Sequence, residues 1–232
     1  MKNSRTVFLL FFLTLYFVSF SQINSIQLSV TPTFGASAFH LADSAFTASD
    51  SSDLRITELK FYLSNIQLLQ KGKVVMEEKA SFHLLDASYI NSLTILMDDK
   101  QPVKFDELKF NLGIDSVTSV SGVLGGDLDP TKGMYWAWQS GYINFKLEGT
   151  SPLCKTRNNE FQFHLGGYQP PNNCLQTVRF PISNANNIHL KLDVQNVLKQ
   201  IDLMKSNQIM SPSAEAIRLS KIIANSFTLS QN

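Results

Sequence analysis

The chain is short of the residues most often used for chemistry. Its 232 residues include only two cysteines, two tryptophans and four histidines. Charged residues make up 17%, the net charge is +1, and neither basic nor acidic residues collect in a block. Nucleic-acid binding, which needs concentrated lysine and arginine to displace counterions, is therefore not expected. The motifs of nucleotide and hydrolytic enzymes are missing as well. There is no G-x-S-x-G, no H-E-x-x-H, no P-loop and no C-x-x-C. Without a nucleophile in a supporting context, the chain reads as a binding protein and not as an enzyme.

What is present begins with an address. Lys2 and Arg5 precede a nearly unbroken apolar run from Val7 to Phe20, and Ser19-Phe20-Ser21 puts small residues where a signal peptidase reads. The run is too short for a stable membrane span. Residues 1–21 are thus expected to be a signal peptide cleaved before Gln22. The mature chain, 22–232, is expected to act as one domain in the periplasm or outside the cell, not as an integral membrane protein. Outside the cytoplasm a disulfide persists. Cys154 and Cys174 allow one intrachain pairing, worth about 3 kcal/mol for a loop of this length.

Period-two alternation dominates the first 195 residues, as half-buried strands require. Ile26–Val30, Ile56–Leu69 (one long strand or a bent pair), Ser81–Leu85, Val103–Leu112, Met134–Trp138, Tyr142–Glu148, Glu160–Leu165, Gln176–Phe180 and Asn187–Val194 all read as strands. Seventeen phenylalanines add an apolar core. The expected fold is all-β, an antiparallel sandwich or open barrel. From about residue 194 the pattern turns helical. Val197, Ile201 and Met204 recur at helical spacing. Ser211 and Pro212 look like the N-cap and first residue of a final helix whose stripe is Ala216, Leu219, Ile223 and Phe227.

Four features carry candidate chemistry. Gly133-Met-Tyr-Trp-Ala-Trp-Gln-Ser-Gly-Tyr142 holds both tryptophans, and on a strand Trp136 and Trp138 would share one face with Met134. His164 alternates with Phe161, Phe163 and Leu165, so it shares the opposite face with Gln162, just before two glycines. His83 stands three residues before Asp86, a carboxylate that could orient it. Met134 and Met210 are soft donors in reserve. Imidazole and thioether together suit copper better than calcium or magnesium.

Taken in order, Ile56-Thr-Glu-Leu-Lys-Phe-Tyr-Leu-Ser-Asn-Ile66, Phe82-His-Leu-Leu-Asp86, the tryptophan run, and Phe161-Gln-Phe-His-Leu-Gly166 resemble the MbnP-like copper-binding proteins. The resemblance extends through Ile209-Met-Ser-Pro to the last helix, and W-x-W-Q-S-G-Y is its most specific part. It implies an extracytoplasmic protein that binds one copper ion. His83 and His164 become the imidazole ligands. Trp136 or Trp138 becomes the ring oxidised to kynurenine by a di-haem partner similar to bacterial cytochrome c peroxidases. The competing reading is a cell-envelope module that binds no metal, in which the aromatic run stacks on a sugar or peptide or fills the core.

Overall fold

A computed structural model describes residues 24–41, 46–48, 51–99, 103–139, 141–183 and 185–230. The expected signal peptide, residues 1–21, lies outside them. The strands run in chain order: β1 Asn24–Phe34, β2 Ser37–Ala38, β3 Phe46–Ala48, β4 Ser51–Gln70, β5 Lys73–Glu77, β6 Phe82–Asp86, β7 Thr94–Asp99 and β8 Glu107–Leu112. They continue with β9 Tyr135–Trp136, β10 Gly141–Thr150, β11 Glu160–Gly166, β12 Gln176–Pro181, β13 Asn187–Asp193, β14 Gln208–Ile209 and β15 Phe227–Leu229. Three helices, α1 Ser116–Val120, α2 Val194–Leu198 and α3 Ala214–Asn225, complete the regular elements apart from short 3-10 turns.

The strands form two sheets. The smaller runs β15–β13–β1–β2, with β7 also on β1; the larger runs β12–β8–β4–β10–β11–β14. β3, β5 and β6 pair with β4 as well, and β9 with β10. The all-β sandwich-like fold follows the sequence expectation, with one refinement. Two pairings, β1 with β13 and β11 with β14, are parallel, so the sheets are mixed.

The central strand β4 shows how alternation becomes packing. Leu59, Phe61 and Leu63 point inward and are fully buried, as are Leu28 on β1 and Leu190 and Leu192 on β13. Each buried Leu or Phe of this kind contributes about 1.5–3 kcal/mol of transfer free energy. The strand is bent, as its sequence suggests. Asn65 takes a left-handed φ of 49°, and the register against β8 shifts between Ser64 and Gln67. Asparagine accepts that conformation at lower cost than other residues with a side chain. At the strand's end Lys71 and Gly72 both have positive φ, 49° and 76°, as a tight hairpin turn into β5 requires.

The C-terminal segment differs from its pattern. Val197 and Ile201 are buried, but the helix stops at Leu198 and Met204 is 52% exposed. The final helix is capped by Ser213, whose hydroxyl accepts from the Ala216 N–H at 3.1 Å, and not by Ser211. Ala216, Leu219 and Ile223 form the buried stripe, and Phe227 belongs to β15.

The expected Cys154–Cys174 disulfide is not formed; both are free, buried thiols. Each packs as a small apolar side chain in the main core, and the Cys174 thiol is hydrogen-bonded with Ser220. Burial pushes the Cys174 thiol up to about 11 and raises that of Cys154. Folded protein is therefore expected to resist alkylation near neutral pH. In denaturant without reductant, both cysteines should label at once; a chain that labels only after reduction would restore the disulfide.

Candidate functional site

The outer face of the larger sheet carries an unusual density of paired charge. Register places Asp86, Lys60, Lys146 and His164 side by side across β6, β4, β10 and β11. Directly paired residues share a face, as do positions two apart on a strand, so Glu58 and Glu148 form the next row. The Lys60 ammonium lies 2.8 Å from Glu58 and 3.4 Å from Asp86. Lys146 lies 2.8 Å from Glu58 and 3.5 Å from Glu148. Glu148 Oε1 is 2.5 Å from Nε2 of His164. Alternating signs let Asp86, Lys60, Glu58, Lys146 and Glu148 satisfy one another, and Glu148 also meets the His164 ring.

These neighbours fix protonation. Burial acts to raise the Glu58 carboxyl, but the Lys146 and Lys60 ammonium groups outweigh it and hold the group below its ordinary value. Its stabilising contribution is present above the ordinary carboxylate range and is lost as pH falls through the lowered value. Acid unfolding is expected to shift in Glu58→Gln, losing part of its steepness below about pH 4.5, which thermal melts across a pH series will read. His164 is 8% exposed. Burial pushes its imidazolium below the ordinary histidine value, against the opposing pull of Glu148. The ring is therefore neutral at pH 7 and keeps a nitrogen lone pair for a ligand.

Residues 113–139 fold over this face and build a second, smaller core. Met134 and Trp136 are buried there with Tyr62, Leu84, Ile114, Leu128, Tyr142 and Ile143. Tyr62 donates to the Asp127 carbonyl at 2.9 Å, and the Leu84 N–H donates to Asp127 Oδ2 at 3.0 Å. Asp127 also pairs with Lys132 at 2.6 Å, while Asp129 caps the turn at Thr131. Both carboxylates thus have structural partners.

The tryptophans part company. The expected strand lasts only two residues, because 137–139 form a turn. Trp136 is 5% exposed and Trp138 is 66% exposed, though their ring centroids remain 5.9 Å apart. The Trp136 ring sits where a β-carbon on Gly166 would be, 2.8 Å from that position. Gly166 is two residues beyond His164 on β11, so both stand on one face. Trp136 Nε1 is buried without a hydrogen-bond partner.

Met210 joins them through topology. β14 lies parallel to β11, with Gln208 against Gln162 and Ile209 against Phe163. The pairing ends at Ile209, and Met210, the next residue, is 36% exposed just past the strand. His83 is not brought to this place. It pairs with Leu63, so it faces away from Leu84 and Asp86, and its Nε2 meets Glu78 Oε2 at 2.8 Å. The two histidines expected to act together stand on opposite faces of the sheet, with β4 and β10 between their strands. His189 meets Ser29 at 2.6 Å on the other sheet, and His40 is exposed. Among the described residues, no three of His, Cys, Asp and Glu gather as a metal-holding group. The charge ladder around Glu58 and Lys146 escaped the sequence reading, although the alternation of Lys146 and Glu148 along β10 was its visible trace.

No curated protein matches the chain. Among solved structures, MbnP from Methylosinus trichosporium superposes with a TM-score of 0.58 at 14% identity, covering 82% of this chain and 82% of that one. At that identity the likeness shows a shared fold. The MbnP family model matches residues 23–211. A match over that span, joined to the same fold, shows that the chain belongs to the MbnP family.

Proposed function

We propose that this protein binds copper outside the cytoplasm, for its acquisition, storage or delivery, and that it is a binding protein with no catalytic cycle of its own. One observation carries the reading: His164, Glu148 and Trp136 lie on a single face, and Met210 follows directly on β14, the strand that pairs with β11. A neutral imidazole and a thioether are the soft donors that copper favours. In this reading copper is cargo, held by His164 and Met210, with Glu148 orienting the imidazole from behind. Trp136 is the ring that a di-haem, cytochrome c peroxidase-like partner converts to kynurenine. Its burial on the His164 face and its unpartnered Nε1 favour it over Trp138, which is exposed. His83 stands outside the site. No helix among the described residues is long and apolar enough to cross a membrane.

Competition against a mild chelator tests the proposal. The protein should take up one copper ion per chain. His164→Ala should lose more than about tenfold in affinity, and His83→Ala should bind as the parent does. Absence of uptake, or equal uptake by His164→Ala, would end the reading. Intact mass of protein from its native host tests the oxidation, since kynurenine replaces one ring carbon with oxygen. An unmodified mass rejects it.

A further inference from the structure

Beside the tryptophan turn lies a cleft of about 220 Å³, walled by Trp136, Gln139, Tyr168, Gln169, Asn172 and Pro212. Pro170, Gly141 and Gly167 complete it, and the glycines let the walls come close. A β-carbon on Gly141 would fall 3.1 Å from the Tyr168 ring. One on Gly167, where φ is +128°, would fall 2.2 Å from the Asn172 carbonyl. The far wall is tied down by three hydrogen bonds: Ser116 Oγ donates to the Tyr168 carbonyl at 2.7 Å, the Asn172 N–H to that of Gln169 at 2.8 Å, and the Cys174 N–H to that of Gly167 at 2.9 Å. The cleft is therefore preformed.

Its chemistry is selective. No lysine, arginine, histidine, aspartate or glutamate lines it, which disfavours a charged ligand. Three carboxamides do line it, and each both donates and accepts. Two aromatic rings offer apolar faces beside them. Trp136, one of the wall residues, keeps its Nε1–H buried and unpartnered. Beyond the wall, Trp138 leaves its indole at the surface against Trp136, extending the aromatic platform. The volume lies below the about 300–1,000 Å³ of drug-sized sites, so it suits one ring. Strand addition is the usual way to hold an extended peptide, and the wall here is mostly turn and loop.

We infer that this cleft binds a neutral sugar ring, a free hexose or a single residue of a glycan, with the carboxamides of Gln139, Gln169 and Asn172 on its hydroxyls and an aromatic ring against its C–H face. The site stands independently of copper, although Trp136 borders both.

The test uses metal-free full-length mature protein, so that it stands or falls apart from the copper reading. Tryptophan fluorescence and saturation-transfer NMR are followed against glucose, galactose, mannose and N-acetylglucosamine, with glucuronate and a blocked neutral dipeptide as controls. At least one neutral sugar should give a saturable change with a Kd of about 1 mM or tighter. Asn172→Ala and Gln169→Ala truncate side chains at the cleft's edge. Each should weaken binding more than about tenfold, a difference of about 1.4 kcal/mol, while leaving the melting temperature in place. The inference is overturned if no neutral sugar binds in that range, if both variants bind like the parent, or if the dipeptide or glucuronate binds more tightly than every sugar.

Discussion

Phe61→Ala is expected to destabilise the protein by about 3–5 kcal/mol, the largest effect of any single truncation considered. Phe61 is fully buried at the middle of β4, between the two sheets. Its ring stacks on Phe145 at 5.8 Å and meets Phe227 edge-on at 6.0 Å. Phe227 belongs to the other sheet and also meets Phe110 edge-on at 5.7 Å. Removing Phe61 thus costs its own burial, opens a cavity, and unseats a contact that joins three strands of distant sequence. Such a loss is a large fraction of a typical domain's stability. Denaturant titration will read it as a lower midpoint at unchanged slope. A cost below about 1 kcal/mol would mean that the sheets are not packed through this ring.

Gly166→Ala is expected to strike the candidate site and the fold together. The added carbon would lie 2.5 Å from the Tyr142 carbonyl oxygen and 2.8 and 3.0 Å from the Trp136 ring. The ring can swing aside, but the carbonyl moves only if β10 separates from β11. Overpacking of this kind costs about 1–3 kcal/mol. The displaced indole should leave its apolar niche, shifting tryptophan emission to the red. Under the copper reading, metal affinity should fall as well, because Trp136 leaves the face it shares with His164. Gly125→Ala is the control. Its φ is −94° and its added carbon would meet nothing within 4 Å, so stability should change by less than about 0.5 kcal/mol. Unshifted emission in Gly166→Ala would show that the ring is not seated on this glycine.

The difference between these two positions reflects what a sequence makes legible. Leu59, Phe61 and Leu63 alternate with Glu58, Lys60 and Tyr62, and period two alone is enough to assign the inner and outer faces of β4. The same rule put His164 opposite Phe163 and Leu165, as observed. Its failure at Trp138 is instructive, because alternation holds only while the strand continues, and here a turn intervenes after Trp136. Short partners were hidden for another reason. β14 and β15 are two and three residues long, too short for any period, and they exist because distant strands supply their hydrogen bonds. The approach of the segment before Met210 to β11 depends on one of these pairings. His83 illustrates the converse: its motif was visible, but its face depends on pairing with Leu63, which no local pattern records.

The parallel pairing of β1 with β13 also orders events in time. Ser29 and His189, which touch across it, stand 160 positions apart in the chain, and contacts so distant are slow to form. While the polypeptide is still being made, its first strand has β7 on one side and nothing on the other until the last quarter emerges. A nascent chain therefore cannot close the smaller sheet until residues 187–193 and 227–229 have been made.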